Sequence, residues 1–262
     1  MNVQDFFRKK QQGQRISMVT CYDAWSAKLI AGSDIDCVLV GDSLAMVVYG
    51  HETTLPVDTD IMAAHTTAVR RGAPGKFIIG DMPFISYRRG RGDAVKNAGK
   101  LMRAGANAVK LEGASGNIET IAWLVESGIP VMGHLGLTPQ SVHQLGGFRV
   151  QGRGEEAAAR LQREALDLQQ AGCFSLVLEA MPADVAKDVT TALDIPTIGI
   201  GAGPATDGQV LVLHDLLGFN TDFRPKFVRT WMDGAGSVQA ALQGFHAAVV
   251  EGHFPAEEEC YS

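Results

Sequence analysis

Cysteine is scarce. Only four occur in 262 residues, at positions 21, 37, 173 and 260, and no two form a CxxC pair. That scatter argues against a disulfide framework and fits thiols buried in a reducing compartment. Long apolar runs are missing too: none approaches the roughly 18 residues of a membrane span, and the opening MNVQDFFRKKQQGQR has no apolar signal core. Positive charge is in deficit, with a net charge of −6, which argues against nucleic acid or an anionic membrane as the main partner. Hairpin signals, linkers and shifts of composition are also lacking. The expectation is a cytoplasmic protein. It forms one domain over 1–262, with a short helix at 3–10 and a C-terminal tail.

A hydrophobic content of 46% supports a sizeable core. Apolar strand candidates at 17–20, 37–40, 77–80, 108–112, 130–133, 175–178, 197–200 and near Leu216-Leu217 alternate with helical stretches. Most of those helices stop at a glycine, Asp93, Asn117 and Ser237 stand where caps belong, and Thr206 starts the helix that leads into the last strand. Alternation of this kind means a parallel sheet with helical crossovers, and eight units at this length predict a closed (β/α)8 TIM-type barrel, with an open doubly wound sheet as the alternative.

The polar residues fall where strands end. In Ala108-Val109-Lys110-Leu111-Glu112-Gly113 the strand period of two puts Lys110 and Glu112 on one face and Val109 and Leu111 on the other. Two buried charges are expensive unless they pair with each other, bind a metal or hold a ligand. The arrangement repeats: residues 104–136 align with 171–203, so that Glu179 takes the place of Glu112, Val177 that of Lys110 and Ile200 that of His134. A third, partial copy ends at Gly41-Asp42. Asp42, Asp81, Glu112, Glu179, Lys110 and His134 therefore gather at the C-terminal ends of strands, where barrels place their sites. Four acids against one lysine ask for a cation, and oxygen donors without cysteine favour a hard ion such as Mg²⁺.

Other features carry less. The run GIGAG at 199–203 suits either a phosphate cradle or tight barrel closure. His51, His65 and His214 read as locally satisfied side chains, and Arg88-Arg89-Gly90-Arg91 as a solvated surface near Asp81. The glycine-rich stretch 147–154, with Arg149 and Arg153, reads as a long surface loop that could order over substrates.

Long motifs carry a resemblance: TCYD at 20–23, LVGDSLAMVVYG at 39–50, TTLPV at 53–57, HTTAVRRG at 65–72, DMPFISY at 81–87, MRAGANAVKLEG at 102–113, GHLGLTPQS at 133–141, GGFRVQGR at 146–153, VLEAMP at 177–182 and IGIGAGPATDGQVLVLHDLLG at 198–218. Nearly end to end, the chain resembles the ketopantoate hydroxymethyltransferase family. The resemblance implies a barrel of the phosphoenolpyruvate mutase/isocitrate lyase-like kind. It implies a Mg²⁺ site at Asp42, Asp81 and Glu112, the last directly or through water, with Asp42, Asp81, Ser43, Lys110 and His134 around the α-keto acid and Glu179 as catalytic base. The implied reaction carries a one-carbon unit from 5,10-methylenetetrahydrofolate, the cosubstrate, to 3-methyl-2-oxobutanoate through an enolate, giving 2-dehydropantoate for pantothenate and coenzyme A synthesis. A homo-oligomer, a decamer of five dimers, is implied as well. Ala45 stands where many members have Gly, and Glu259 where some carry His, which leaves contacts of the tail open. A lyase or mutase of the related barrels and a catalytically dead keto-acid or folate sensor are the alternatives; a reactive cysteine on a lyase loop is lacking, and every acid of the site is retained.

Overall fold

Eight parallel strands close on themselves in sequence order in the computed structural model, which describes residues 1–221 and 224–262. They are β1 (Ile16–Thr20), β2 (Cys37–Val40), β3 (Phe77–Asp81), β4 (Ala108–Lys110), β5 (Val131–Gly136), β6 (Ser175–Glu179), β7 (Thr197–Ile200) and β8 (Gly208–Leu211). The seam is made by β1 on β8, from Ile16 opposite Gly208 to Val19 opposite Leu211. Each strand is a short apolar run buried on both faces, as a parallel sheet covered by helices demands. Residues of one parity, among them Val19, Val38, Ile78, Val109 and Leu176, pack outward under the helices. Those of the other parity, Met18, Leu39, Ile79, Met132, Val177 and Ile198 among them, fill the barrel.

The N-terminal helix Val3–Gln11 closes the lower end. Asn2 caps it, Lys9 pairs with Asp36 at 2.7 Å and Lys10 with Asp207 at 2.8 Å, which holds it under the strands. Its Phe6 is fully buried, with ring centroids 5.2 Å from Phe77 and 5.1 Å from Phe174 in edge-to-face contact. Burying one such ring stabilises the fold by about 2–3 kcal/mol.

Three local expectations are corrected. The last strand is Gly208–Leu211, and 213–216 is a short helix. Thr206 starts no helix there, because its hydroxyl donates to the Gly208 carbonyl at 2.8 Å and turns the chain straight into the strand. Asp93 lies inside the first turn of helix Arg91–Ala104, whose cap position is Gly90, and faces Arg89 instead. Asn117 stands at the cap of helix Ile118–Glu126, but its amide turns back to donate to the carbonyls of Glu112 and Gly113 at 2.8 and 2.9 Å. It braces the segment that carries Glu112. No helix among the described residues is long and apolar enough to cross a membrane.

Candidate active site

The inward parity of the strands continues past the apolar core. After Ile79 comes Asp81, after Ala108 come Lys110 and Glu112, after Met132 comes His134, and after Val177 comes Glu179. Alternation alone thus aims five ionisable side chains into the upper end of the barrel. Asp42 and Ser43 join them from the turn after β2. All seven line one cavity of about 620 Å³.

Lys110 is the hub. Its Nζ lies 2.9 Å from Asp81 Oδ1 and 3.2 Å from His134 Nδ1. His134 Nδ1 is 3.5 Å from Glu112 Oε1, and its Nε2 is 3.2 Å from Glu179 Oε2. Asp81 Oδ2 accepts the backbone N–H of Asp42 at 3.3 Å. Gln140 ties the other side together. Its side-chain amide donates to Asp42 Oδ2 at 2.8 Å and to the Met82 carbonyl at 2.9 Å, its backbone N–H donates to Glu112 Oε2 at 3.0 Å, and its Oε1 accepts from Tyr87 at 2.8 Å. Tyr22 and Ser43 share a hydrogen bond of 2.9 Å.

Burial sets the electrostatics. It pushes the Asp42 carboxyl well above the ordinary range, with Asp81 and then Glu112 adding their repulsion. Burial likewise raises Asp81, against the opposing pull of Lys110. At Lys110 burial works against the charge, but Asp81, Glu112 and Asp42 outweigh it and the ammonium is held above its ordinary value. At His134 burial and Lys110 both oppose protonation, yet Glu112 and Glu179 prevail and the imidazole is raised to about 9. The approach of Lys110 Nζ to His134 Nδ1 is then a contact of two cations, tolerable only because carboxylates flank it.

Three atoms of the site are left for a guest. Asp81 Oδ1, Glu112 Oε1 and His134 Nε2 are buried without a properly formed hydrogen bond, although the Lys110 ammonium stands beside the first. An orphaned carboxylate oxygen beside two further acids is the donor chemistry of a hard cation, and an imidazole N–H pointing at the same cavity suits an anionic oxygen. Among the described residues no three His, Cys, Asp or Glu side chains close tightly enough to cage an ion alone. Mg²⁺ does not require that, since it keeps several waters and takes one or two carboxylates.

The backbone around Glu179 is tightly specified. Ala180, the next residue, has φ +46°, a left-handed conformation costly for a side chain with a Cβ. It is held by its N–H to the Ile200 carbonyl at 2.9 Å and by Gln151 N–H to its own carbonyl at 2.8 Å. Gly136, at φ +91°, admits no Cβ, which would lie 2.1 Å from the Glu179 carbonyl oxygen.

A family model described as ketopantoate hydroxymethyltransferase matches residues 1–257. The chain belongs to the ketopantoate hydroxymethyltransferase family. A Bdellovibrio bacteriovorus protein named 3-methyl-2-oxobutanoate hydroxymethyltransferase is 58% identical over 258 residues, 98% of each chain. Among solved structures, 2,3-dimethylmalate lyase, a PEP mutase/isocitrate lyase superfamily member, superposes with a TM-score of 0.60 at 16% identity over 80% of each chain. Phosphonopyruvate hydrolase in complex with oxalate and Mg²⁺ superposes with a TM-score of 0.62 at 10% identity over 81% of each. These likenesses show a shared barrel fold, and the family makes the chain an enzyme, a hydroxymethyltransferase.

Within this ketopantoate hydroxymethyltransferase family member the weaker sequence signals sort themselves out. GIGAG is explained by packing: a Cβ at Gly199 would meet Thr206, one at Gly201 would meet Phe227 and one at Gly203 would meet Ala183. His65 is satisfied locally by the Tyr22 carbonyl and the Tyr49 hydroxyl, whereas His51 and His214 line the cavity. Arg88 and Arg91 stay outside, bonded to the Ser115 carbonyl and to Glu119. From loop 147–154, Phe148, Arg149 and Val150 reach the cavity and Arg153 contacts the tail. Sequence reasoning missed Gln140, a neutral residue in a helical turn with no charge or period to mark it. It also missed Tyr22 and Tyr87, which lie inside the quoted motifs TCYD and DMPFISY but were given no role there.

Proposed function

We propose that the chain forms 2-dehydropantoate by passing the one-carbon unit of 5,10-methylenetetrahydrofolate to 3-methyl-2-oxobutanoate, with water consumed and tetrahydrofolate released. The observation that carries this reading is the convergence of Asp42, Asp81 and Glu112 on Lys110 and His134, with Glu179 joined to them only through His134. Asp42 and Asp81, with Glu112 directly or through water, would hold Mg²⁺; bound there, it would supply Lewis-acid polarisation of the keto oxygen, worth several kcal/mol. Lys110, the His134 imidazolium and the Ser43 hydroxyl are the donors that seat the keto acid and spread the negative charge as its enolate develops.

Glu179 is the group best placed to take the C3 proton. Its side chain is 18% exposed, against 2% for both Asp81 and Glu112, so it is the most accessible acid of the three. The His134 imidazole, 3.2 Å from one of its oxygens, holds the carboxylate by charge and leaves the other oxygen for the substrate. Attack of C3 on the one-carbon unit forms the carbon–carbon bond and breaks one of its two carbon–nitrogen bonds to folate; water supplies the hydroxyl as the second breaks, and both nitrogens leave in tetrahydrofolate.

A place in pantothenate and coenzyme A synthesis follows from that product. The decamer and the cytoplasmic location belong to the same proposal. Exposed Trp25 and Phe84 are large apolar side chains of the sort that further copies would cover, and four free thiols among the described residues support a reducing location. The test is turnover of 3-methyl-2-oxobutanoate with methylenetetrahydrofolate and Mg²⁺. Cleavage of a carbon–carbon bond without folate would assign a lyase instead, and binding without turnover a sensor.

A further inference from the structure

The cavity changes character with height. Its floor is the charged cluster, but its rim is aromatic, lined by Phe148, Phe219, Phe227 and Tyr261. A five-carbon keto acid on the floor leaves most of the roughly 620 Å³ for a larger, flatter companion.

Tyr261 is in the rim because the C-terminal tail is tied down at four points. The Arg229 guanidinium makes a two-pronged ion pair with Glu259 at 2.8 and 2.7 Å. Lys226 Nζ donates to the Cys260 carbonyl at 2.5 Å, the Ala183 N–H to the Tyr261 carbonyl at 3.1 Å, and Arg153 Nε to the Ser262 carbonyl at 3.3 Å. So held, the Tyr261 ring meets the Phe227 ring edge to face at 6.3 Å. The loop after β7 makes room for the pair at Gly201, where φ is +61° and a Cβ would stand 2.7 Å from Phe227 and 3.1 Å from Tyr261. Tyr261 and Glu179 line the same cavity, and burial, then the nearby charge of Glu179, raise the Tyr261 phenol. Asp215 lines the same cavity with one oxygen taken by the Asn220 amide at 3.2 Å. Its other oxygen is placed to accept an N–H from the edge of an aminopyrimidinone ring.

We propose that the C-terminal tail completes the cosubstrate subsite: Tyr261 and Phe227 form the aromatic wall for the pterin ring of the folate, and Asp215 accepts from the pterin's amino edge. This rests on the folate-donor reading above. The Glu259–Arg229 fork is the positioning element, and it gives a role to the residue at which the tail departs from some relatives.

The experiment measures dissociation constants of tetrahydrofolate and of 3-methyl-2-oxobutanoate, each on the full chain with Mg²⁺. Tyr261→Ala weakens tetrahydrofolate about tenfold or more, the scale of losing one stacked aromatic, and that loss exceeds any loss for the keto acid at least about fivefold. Tyr261→Phe, which keeps the ring, stays within about threefold of the parent, while Asp215→Asn weakens tetrahydrofolate and not the keto acid. Unaltered tetrahydrofolate affinity in Tyr261→Ala overturns the wall, as does an equal loss for both ligands, which would make the tail a general support of the rim. If the parent chain fails to bind tetrahydrofolate at all, the folate-donor reading itself fails and the wall falls with it.

Discussion

His134 Nε2 stands 3.2 Å from Glu179 Oε2, across the pairing of β5 with β6. That single approach links the cationic seat of the site to its most accessible acid, and it separates two tasks: holding the keto acid and removing its proton.

Glu179→Gln therefore tests the second task alone. Magnesium and keto-acid binding stay close to the parent values, while exchange of the C3 proton of 3-methyl-2-oxobutanoate into deuterated water, followed by NMR without folate, slows by about two orders of magnitude or more. Exchange at the parent rate would move the proton transfer to another group, with His134 next in line.

Asp42→Asn and Asp81→Asn address the floor. Each weakens Mg²⁺ and keto acid together, by at least the roughly tenfold that even outer partners of a metal contribute, and the barrel remains folded. Calorimetric titration showing full metal affinity in both variants would remove the proposed ion site.

Without metal, the protein loses stability as pH rises. Folding raises the His134 pKa from 6.5 to about 9, so its stabilisation is complete below the lower value and disappears as pH climbs through the upper one. Asp42 acts in the same direction, because burial, then Asp81 and Glu112, resist its ionisation in the folded state. Melting temperatures of chelator-treated protein between about pH 6.5 and 9 should fall steadily. A rising trace would contradict the carboxylate grip on the imidazole.

Gln140→Ala removes an amide that serves Asp42, Met82 and Tyr87 at once. Each buried partner left unsatisfied costs about 1–3 kcal/mol, so the midpoint of chemical denaturation drops clearly and magnesium affinity falls with it. Unchanged stability would mean that water replaces the amide without penalty.

Phe6→Ala empties the ring packed on Phe77 and Phe174 at the opposite end of the barrel. The expected cost is about 3–5 kcal/mol of stability, with KM for the keto acid unaltered in the folded fraction. A raised KM with normal stability would reverse that division between support and site.

The barrel and its charged residues were legible in the sequence for one reason: both depend on period. Apolar runs broken by glycine announce strands and crossovers, and a period of two carries the inward face from Ile79 to Asp81 and from Val177 to Glu179 without further information. What depended on contacts between distant segments was not legible. Gln140 matters because of what it meets, not because of its place in a pattern. The eighth strand was misplaced because one hydroxyl, that of Thr206, decides whether its glycine opens a helix or a strand. The tail offered acids and a tyrosine without an address until Arg229, Lys226 and Arg153 supplied one.

The layers of Met18, Leu39, Ile79, Met132, Val177 and Ile198 also govern traffic. With the barrel filled by hydrocarbon from these layers down to Phe6, the cavity is a vessel with one neck, and the neck is shared by both reactants of the proposed transfer. In that transfer the small acid would descend before the bulky one settled above it, and the product would climb out only after the folate had gone. Such a queue, first in and last out, makes a filled barrel the reason for an obligatory order of arrival and departure.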